Sequence, residues 1–187
     1  MQLLILVRHS QPEIDENIPA REWNLSAEGR TRAERLADRL KQYQPECVIS
    51  SVEPKARETA EIIAGRHGLS FHVVEGLHEH DRSNVQYLDK TDFQTAVQEF
   101  FGRPDELVFG SETADEAHER FQRALQSALT RFLDKTLAVV SHGTVMALFV
   151  SRLVGVSAMS LWNEFGLPSF VVLDMQSNSI IAKDNVT

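Results

Sequence analysis

The stretch Leu3-Leu4-Ile5-Leu6-Val7-Arg8-His9 decides how the rest of this 187-residue chain is read. Five apolar residues follow one another without alternation and stop at a guanidinium and an imidazole. An unbroken apolar run suits a strand buried on both faces of a parallel sheet, because a strand with one wet face would alternate. Such a strand delivers Arg8 and His9 to the rim of the sheet. Ligands of open α/β sheets bind in the crevice outside the strand C-termini, where a guanidinium beside an imidazole suits a phosphate. A strand that merely ends in polar loop residues would look the same, so the remainder of the chain has to decide.

The same arrangement recurs at Leu137-Ala138-Val139-Val140, a fully apolar run that ends in Ser141-His142-Gly143. The segment Thr144 to Leu153 is apolar enough for a buried helix, with Gly155 as its cap. A further short strand, Cys47-Val48-Ile49, exits through Ser50-Ser51, and a helix opens near Pro54, which is tolerated in a first turn. Ala56, Ala60, Ile63 and Ala64 form the buried stripe of that helix and Gly68 its C-terminal cap. Arg57 in the first turn would share the rim with His9 if the two strands are parallel.

Working outward, Ser10 to Asn24 reads as a surface loop beside the site. Ser26 caps a helix whose Ala33, Leu36, Ala37 and Leu40 recur at i, i+3, i+4 and i+7. Phe71 to Val74 is a third strand, leading into Leu77-His78-Glu79-His80-Asp81-Arg82. A helix is expected after Thr91 on Phe93, Ala96, Val97, Phe100 and Phe101. Thr113-Ala114-Asp115-Glu116 matches a capping box. Phe170 to Leu173 and Ile180 to Ala182 read as a hairpin at a sheet edge. The pattern is α/β: a three-layer α/β/α sandwich with a mostly parallel central sheet. Residues 1–187 make one domain, with 80–112 as a small cap insertion, because connections of that length are often lids.

Composition narrows the function classes. The formal net charge is -8 with no basic run, which argues against nucleic acid or an anionic membrane as partner. The single cysteine, Cys47, rules out an intramolecular disulfide and reads as a small buried hydrophobe. The N-terminal apolar run is too short for a signal-peptide core, and Leu137 to Met159 is interrupted by His142 and Arg152, so a cytoplasmic location is expected. His78, His80 and Asp81 could ligate a metal, but no third or fourth ligand at fitting spacing accompanies them, and no metal site is expected. His67, His72 and His118 read as structural.

Five motifs stand in one order: Arg8-His9 after an apolar strand, Leu25-Ser26-x-x-Gly29 opening a helix, Arg57 ahead of Thr59-Ala60, Leu77-x-Glu79, and Ser141-His142-Gly143. Together they resemble the histidine phosphatase superfamily in its phosphoglycerate mutase-like branch. The resemblance implies that His9 is the nucleophile and carries a phosphohistidine, that Arg8, Arg57 and His142 clamp the phosphate, and that Glu79 is the general acid/base. It implies no metal or organic cofactor and a small phosphorylated substrate, whose identity stays open with the oligomeric state. Ser10 stands where the family usually has glycine. The Ser10 hydroxyl and the Gln11 amide are the expected substitute donors, and Gly143 is the third substrate-binding residue expected. Gly110-Ser111-Glu112-Thr113 reorders a common tripeptide and leaves the role of Glu112 unassigned. The short 80–112 segment favours hydrolysis over phosphoglycerate mutase-type transfer, with a non-catalytic phosphate-binding module as a further alternative.

Overall fold

The structure, a computed structural model, describes residues 3–187. Six strands form one sheet: β1 (Leu3–Arg8), β2 (Cys47–Ser50), β3 (Phe71–Val73), β4 (Leu137–Ser141), β5 (Ser169–Asp174) and β6 (Ser179–Asn185), in the order β3-β2-β4-β1-β5-β6. β1, β4, β2 and β3 run parallel, β5 joins β1 antiparallel, and β6 closes the edge antiparallel to β5. The sheet is therefore mostly parallel, as the apolar runs of β1 and β4 demand.

Burial on both faces explains those runs. Leu4 and Leu6 of β1 enter a core shared with α4 (Ala114–Arg131) and α5 (Gly143–Val154). Ile5 and Val7, pointing the other way, meet α1 (Ala27–Leu40) and α2 (Pro54–His67). Alternate residues of one strand thus fill two cores, which leaves no position for a polar side chain until Arg8. Residues 80–112 hold α3 (Lys90–Gly102), whose Phe100 is buried while Phe93 stands 5.8 Å from Trp162 of α6 (Ala158–Glu164). The seven-residue α6 has no counterpart in the sequence reading, being too short to show a period. No described helix is long and apolar enough to cross a membrane.

The helix ends follow their local signals. Ser26 accepts from the Gly29 amide, and Thr113 and Glu116 close a reciprocal capping box. Gly29 answers a tertiary need as well. A Cβ there would lie 2.0 Å from the Gln11 carbonyl oxygen, so the first turn of α1 packs directly on the backbone that follows His9. The Gln11 carbonyl also accepts from the Ser26 amide at 3.1 Å, and Pro12 bridges Leu25. Gly29→Ala is therefore expected to destabilise the fold by about 1–3 kcal/mol through overpacking, seen as a lowered Tm in thermal unfolding. An unchanged Tm would show that this contact relaxes without cost.

Candidate active site

Pairing of β1 with β4 in parallel brings two C-termini to one edge. Arg8 lies opposite Ser141, and the His9 amide donates to the Ser141 carbonyl at 2.9 Å. His142 follows immediately as the cap of α5, and the rings of His9 and His142 stand edge to face with centroids 5.1 Å apart. Both rings are buried.

His9 Nδ1 lies 2.7 Å from the Ser10 carbonyl. A carbonyl only accepts, so Nδ1 carries the proton and Nε2 is left with its lone pair. Burial, then His142, Lys55 and Arg8, hold His9 well below the usual histidine range. The ring is neutral at pH 7 and able to attack. His142 is also held low, first by burial and then by Lys55. Its Nε2 lies 2.8 Å from Ser51 Oγ and 3.5 Å from Glu53 Oε1. Ser51 Oγ accepts from the Glu53 amide at 3.3 Å and shares a hydrogen bond with Nε2. His142 Nδ1 is buried without a partner.

Arg8 is anchored by a 2.5 Å hydrogen bond from Nη1 to the Phe165 carbonyl, while its Nε is buried and unpartnered. Burial lowers its pKa to about 10, so it stays cationic at neutral pH. Gly143 is the close-approach residue here: a Cβ would come within 3.0 Å of the Arg8 guanidinium.

Arg57 is not part of this cluster. It is exposed on α2, and Lys55 takes the inward place, its Nζ donating to Glu53 Oε2 at 2.5 Å and to the Ala20 carbonyl at 2.6 Å. The reason is helical geometry: Arg57 lies two positions on from Lys55, a rotation of about 200°. The buried face of α2 includes Lys55, Ala56, Thr59, Ala60, Ile63 and Ala64, so only one of the two cations can point inward. Lys55 extends that stripe at i, i+4 from Thr59, a signal the sequence does carry. Burial lowers the Lys55 pKa, and the Glu53 carboxylate opposes the fall.

Glu53, also unremarked in the sequence, is the hub of the site. One oxygen takes the lysine; the other accepts from the Glu79 amide at 2.8 Å and faces His142. Glu79 itself sits at the N-terminus of α5, where its carboxylate accepts from the amides of His80 (2.9 Å), Thr144 (3.1 Å) and Val145 (3.3 Å). Burial alone would raise its pKa. Arg82, His142 and the His80 and Thr144 amides outweigh burial, and the net shift is downward. Glu79 is therefore ionised at neutral pH in the free protein.

Ser10 and Gln11 do not both offer donors. The Ser10 hydroxyl donates to the Gly29 carbonyl at 2.6 Å and its amide to Thr59 Oγ1 at 3.0 Å, so both groups are already committed to the loop and to α2. Ser10 holds the backbone behind His9 rather than facing a ligand. The Gln11 carbonyl binds Ser26, as described, and its side chain is half-buried.

The loop carrying Glu79 is held from beneath. Arg120 of α4 donates to the carbonyls of Gly76 (2.8 Å), His78 (3.0 Å) and Glu79 (3.2 Å) and to both oxygens of Glu112. Glu112 in turn accepts from the Asp81 amide at 3.0 Å, which assigns it a scaffolding place that spacing could not reveal. His80 packs between Phe100 and Phe109, and among the described residues no three His, Cys, Asp or Glu side chains converge as a metal requires.

The family model of the histidine phosphatase superfamily (branch 1) matches residues 4–183. A probable phosphoglycerate mutase of Klebsiella pneumoniae is 28% identical over 166 residues, covering 84% of this chain and 77% of the relative. Phosphoglycerate mutase-like protein 4 of Arabidopsis thaliana is 28% identical over 160 residues, covering 80% and 70%. Among solved structures, phosphoserine phosphatase of Entamoeba histolytica superposes with a TM-score of 0.78 at 19% identity, over 100% of this chain and 98% of that one. A mycobacterial glucosyl-3-phosphoglycerate phosphatase does so with a TM-score of 0.75 at 23% identity, again over 100% and 98%. These last two are similar in fold. With the model match spanning nearly all of its length, the chain belongs to the histidine phosphatase superfamily, branch 1.

Proposed function

We propose that this protein is a phosphomonoester hydrolase that acts on small phosphorylated substrates through a phosphohistidine on His9. The observation that carries the reading is the His9 Nδ1 contact with the Ser10 carbonyl at 2.7 Å, which leaves Nε2 as a neutral nucleophile among Arg8, Lys55 and His142.

The reaction runs in two displacements. His9 Nε2 attacks phosphorus in line, the Nε2–P bond forms, and the bond to the leaving oxygen breaks as Glu79 protonates that oxygen. Water then loses a proton to Glu79 and attacks phosphorus, the Nε2–P bond breaks, and Glu79 passes that proton to the departing phosphate, which restores the ionised carboxylate. Arg8, Lys55 and the His142 Nδ1–H are the donors for the equatorial oxygens, where the transferred charge is spread. Glu79 starts ionised, so its proton comes from the ester monoanion, and the bound phosphoryl charge raises the carboxyl so that it can hold that proton.

Phosphoglycerate mutase-type transfer is the second reading, favoured by the names of the two relatives at 28% identity. The short segment 80–112 argues for hydrolysis, since a mutase must keep water from the phosphohistidine while its product turns over. Incubation with an aryl phosphate and an alkali quench separates the readings: a hydrolase shows phosphate on His9 and net phosphate release. Phosphate binding with neither label nor release would mark a non-catalytic module.

His9→Ala should lower turnover by at least about 10³-fold, as expected when a nucleophile is removed. For Glu79→Gln, kcat should drop by roughly 10²–10⁴-fold on an alkyl phosphate and much less on an aryl phosphate, whose leaving oxygen needs little help. Equal losses on both would remove Glu79 from the proton transfer. Lys55→Ala should cost about 10²-fold in kcat/KM, whereas Arg57→Ala should leave it unchanged; the reverse order would restore Arg57 to the clamp. Because the His9 pKa is pushed below 6.5, the imidazole stays deprotonated into the acid range and protonates only at lower pH. The acid limb of kcat/KM should thus fall below pH 6.5, and a limb centred at or above that value would contradict a buried neutral nucleophile.

A further inference from the structure

Arg82 stands three residues beyond Glu79 and is absorbed by none of the roles above. Its backbone is held in place: the preceding Asp81 amide is bound by Glu112 at 3.0 Å, and the Asp81 carbonyl accepts from the Ser111 amide at 2.8 Å. Its guanidinium carbon lies 4.5 Å from the centroid of the Phe93 ring, so an aromatic face from α3 supports the head group. Yet Arg82 Nη1 is buried with no hydrogen-bond partner. A buried donor of this kind is costly to leave unmade. Arg8 Nε, His142 Nδ1 and Thr144 Oγ1 are buried and unpartnered in the same way, each on a residue already placed at or beside the site.

Charge counting gives this donor a purpose. Arg8 and Lys55 contribute two cations, and Glu53 and Glu79 contribute two carboxylates, with Lys55 already bonded to Glu53. Those four groups cancel, which is a poor receptor for a phosphate carrying up to two negative charges. Arg82 is close enough to depress Arg8, Lys55 and His142, and it is the foremost cation lowering Glu79. Adding Arg82 to that count leaves the site with a positive excess.

We infer that Arg82 is a phosphate-binding residue: a cation brought by the 80–112 segment, seated on Phe93, whose buried, unpartnered Nη1 completes the clamp formed by Arg8 and Lys55. The inference rests on the phosphatase reading of the site and adds a ligand contact to it. Part of the anion receptor is then carried by the 80–112 segment, and the position and support of Arg82 tie phosphate affinity to the packing of α3.

The test is equilibrium binding of inorganic phosphate by calorimetry, which needs no turnover. Arg82→Met keeps an apolar stem over Phe93 without the charge, Arg82→Lys keeps the charge, and Arg82→Gln serves as a second neutral variant. Thermal unfolding confirms that each is folded. Loss of a charge-assisted contact should weaken phosphate binding by roughly 10- to 100-fold in Arg82→Met and Arg82→Gln, with a smaller loss in Arg82→Lys. Wild-type affinity in a folded neutral variant overturns the inference, as does a loss in Arg82→Lys equal to that in Arg82→Met. Alkali-stable phosphate on wild-type His9 separates the two failures. Its absence sinks the phosphatase reading, whereas its presence together with unchanged phosphate binding by Arg82→Met sinks only the role of Arg82.

Discussion

The parallel ladder between β1 and β4 is the constraint from which the site follows. Its last rung, the His9 amide on the Ser141 carbonyl, sets the chain exits of two strands side by side, so two histidines far apart in sequence meet edge to face. Register matters because side chains alternate between faces. A one-residue slip of β1 would exchange Leu4 and Leu6 with Ile5 and Val7 between the two cores, and the burial of all four residues resists it. The geometry of the candidate site is thus stabilised by apolar packing, not by its own polar groups.

Around that ladder the polar groups organise one another. Glu53 joins three elements by taking Lys55 from α2, the Glu79 amide from the loop after β3, and the approach of His142 from β4. Glu79 closes the circuit on the exposed amides of α5, where a helix N-terminus favours negative charge. Burying a lysine and a carboxylate is costly unless they are paired and hydrogen-bonded, and both conditions are met. The arrangement holds His9 and His142 neutral while keeping cations beside them, which suits attack by an uncharged imidazole on an anionic phosphoryl group.

The scaffolding beneath the site is equally economical. Arg120 ties three carbonyls of the Glu79 loop and the Glu112 carboxylate to α4, and Ser10 ties the backbone after His9 to α1 and α2. Neither side chain touches the pair of histidines. Both act by fixing backbone, which is why a serine is accommodated after His9: its hydroxyl is satisfied by the Gly29 carbonyl, and a glycine at position 29 makes room for the close approach.

The sequence by itself determined the parts that depend on local pattern. Unbroken apolar runs mark β1 and β4 as doubly covered strands, their ends place His9 and His142 on one rim, and the capping signals at Ser26 and Thr113 are local hydrogen-bond chemistry. Only the tertiary structure decided what the inward cation of α2 meets. The spacing puts Lys55 in phase with the buried stripe and Arg57 out of phase, but the Glu53 carboxylate and the Ala20 carbonyl that receive the Lys55 ammonium are brought to it by packing. Glu53, Glu112 and Arg82 were illegible for the same reason: their partners lie on other elements, and a lone charged residue has no period. Contacts between distant segments carry no signature in the spacing of either one, so a polar network becomes visible only once the core has packed.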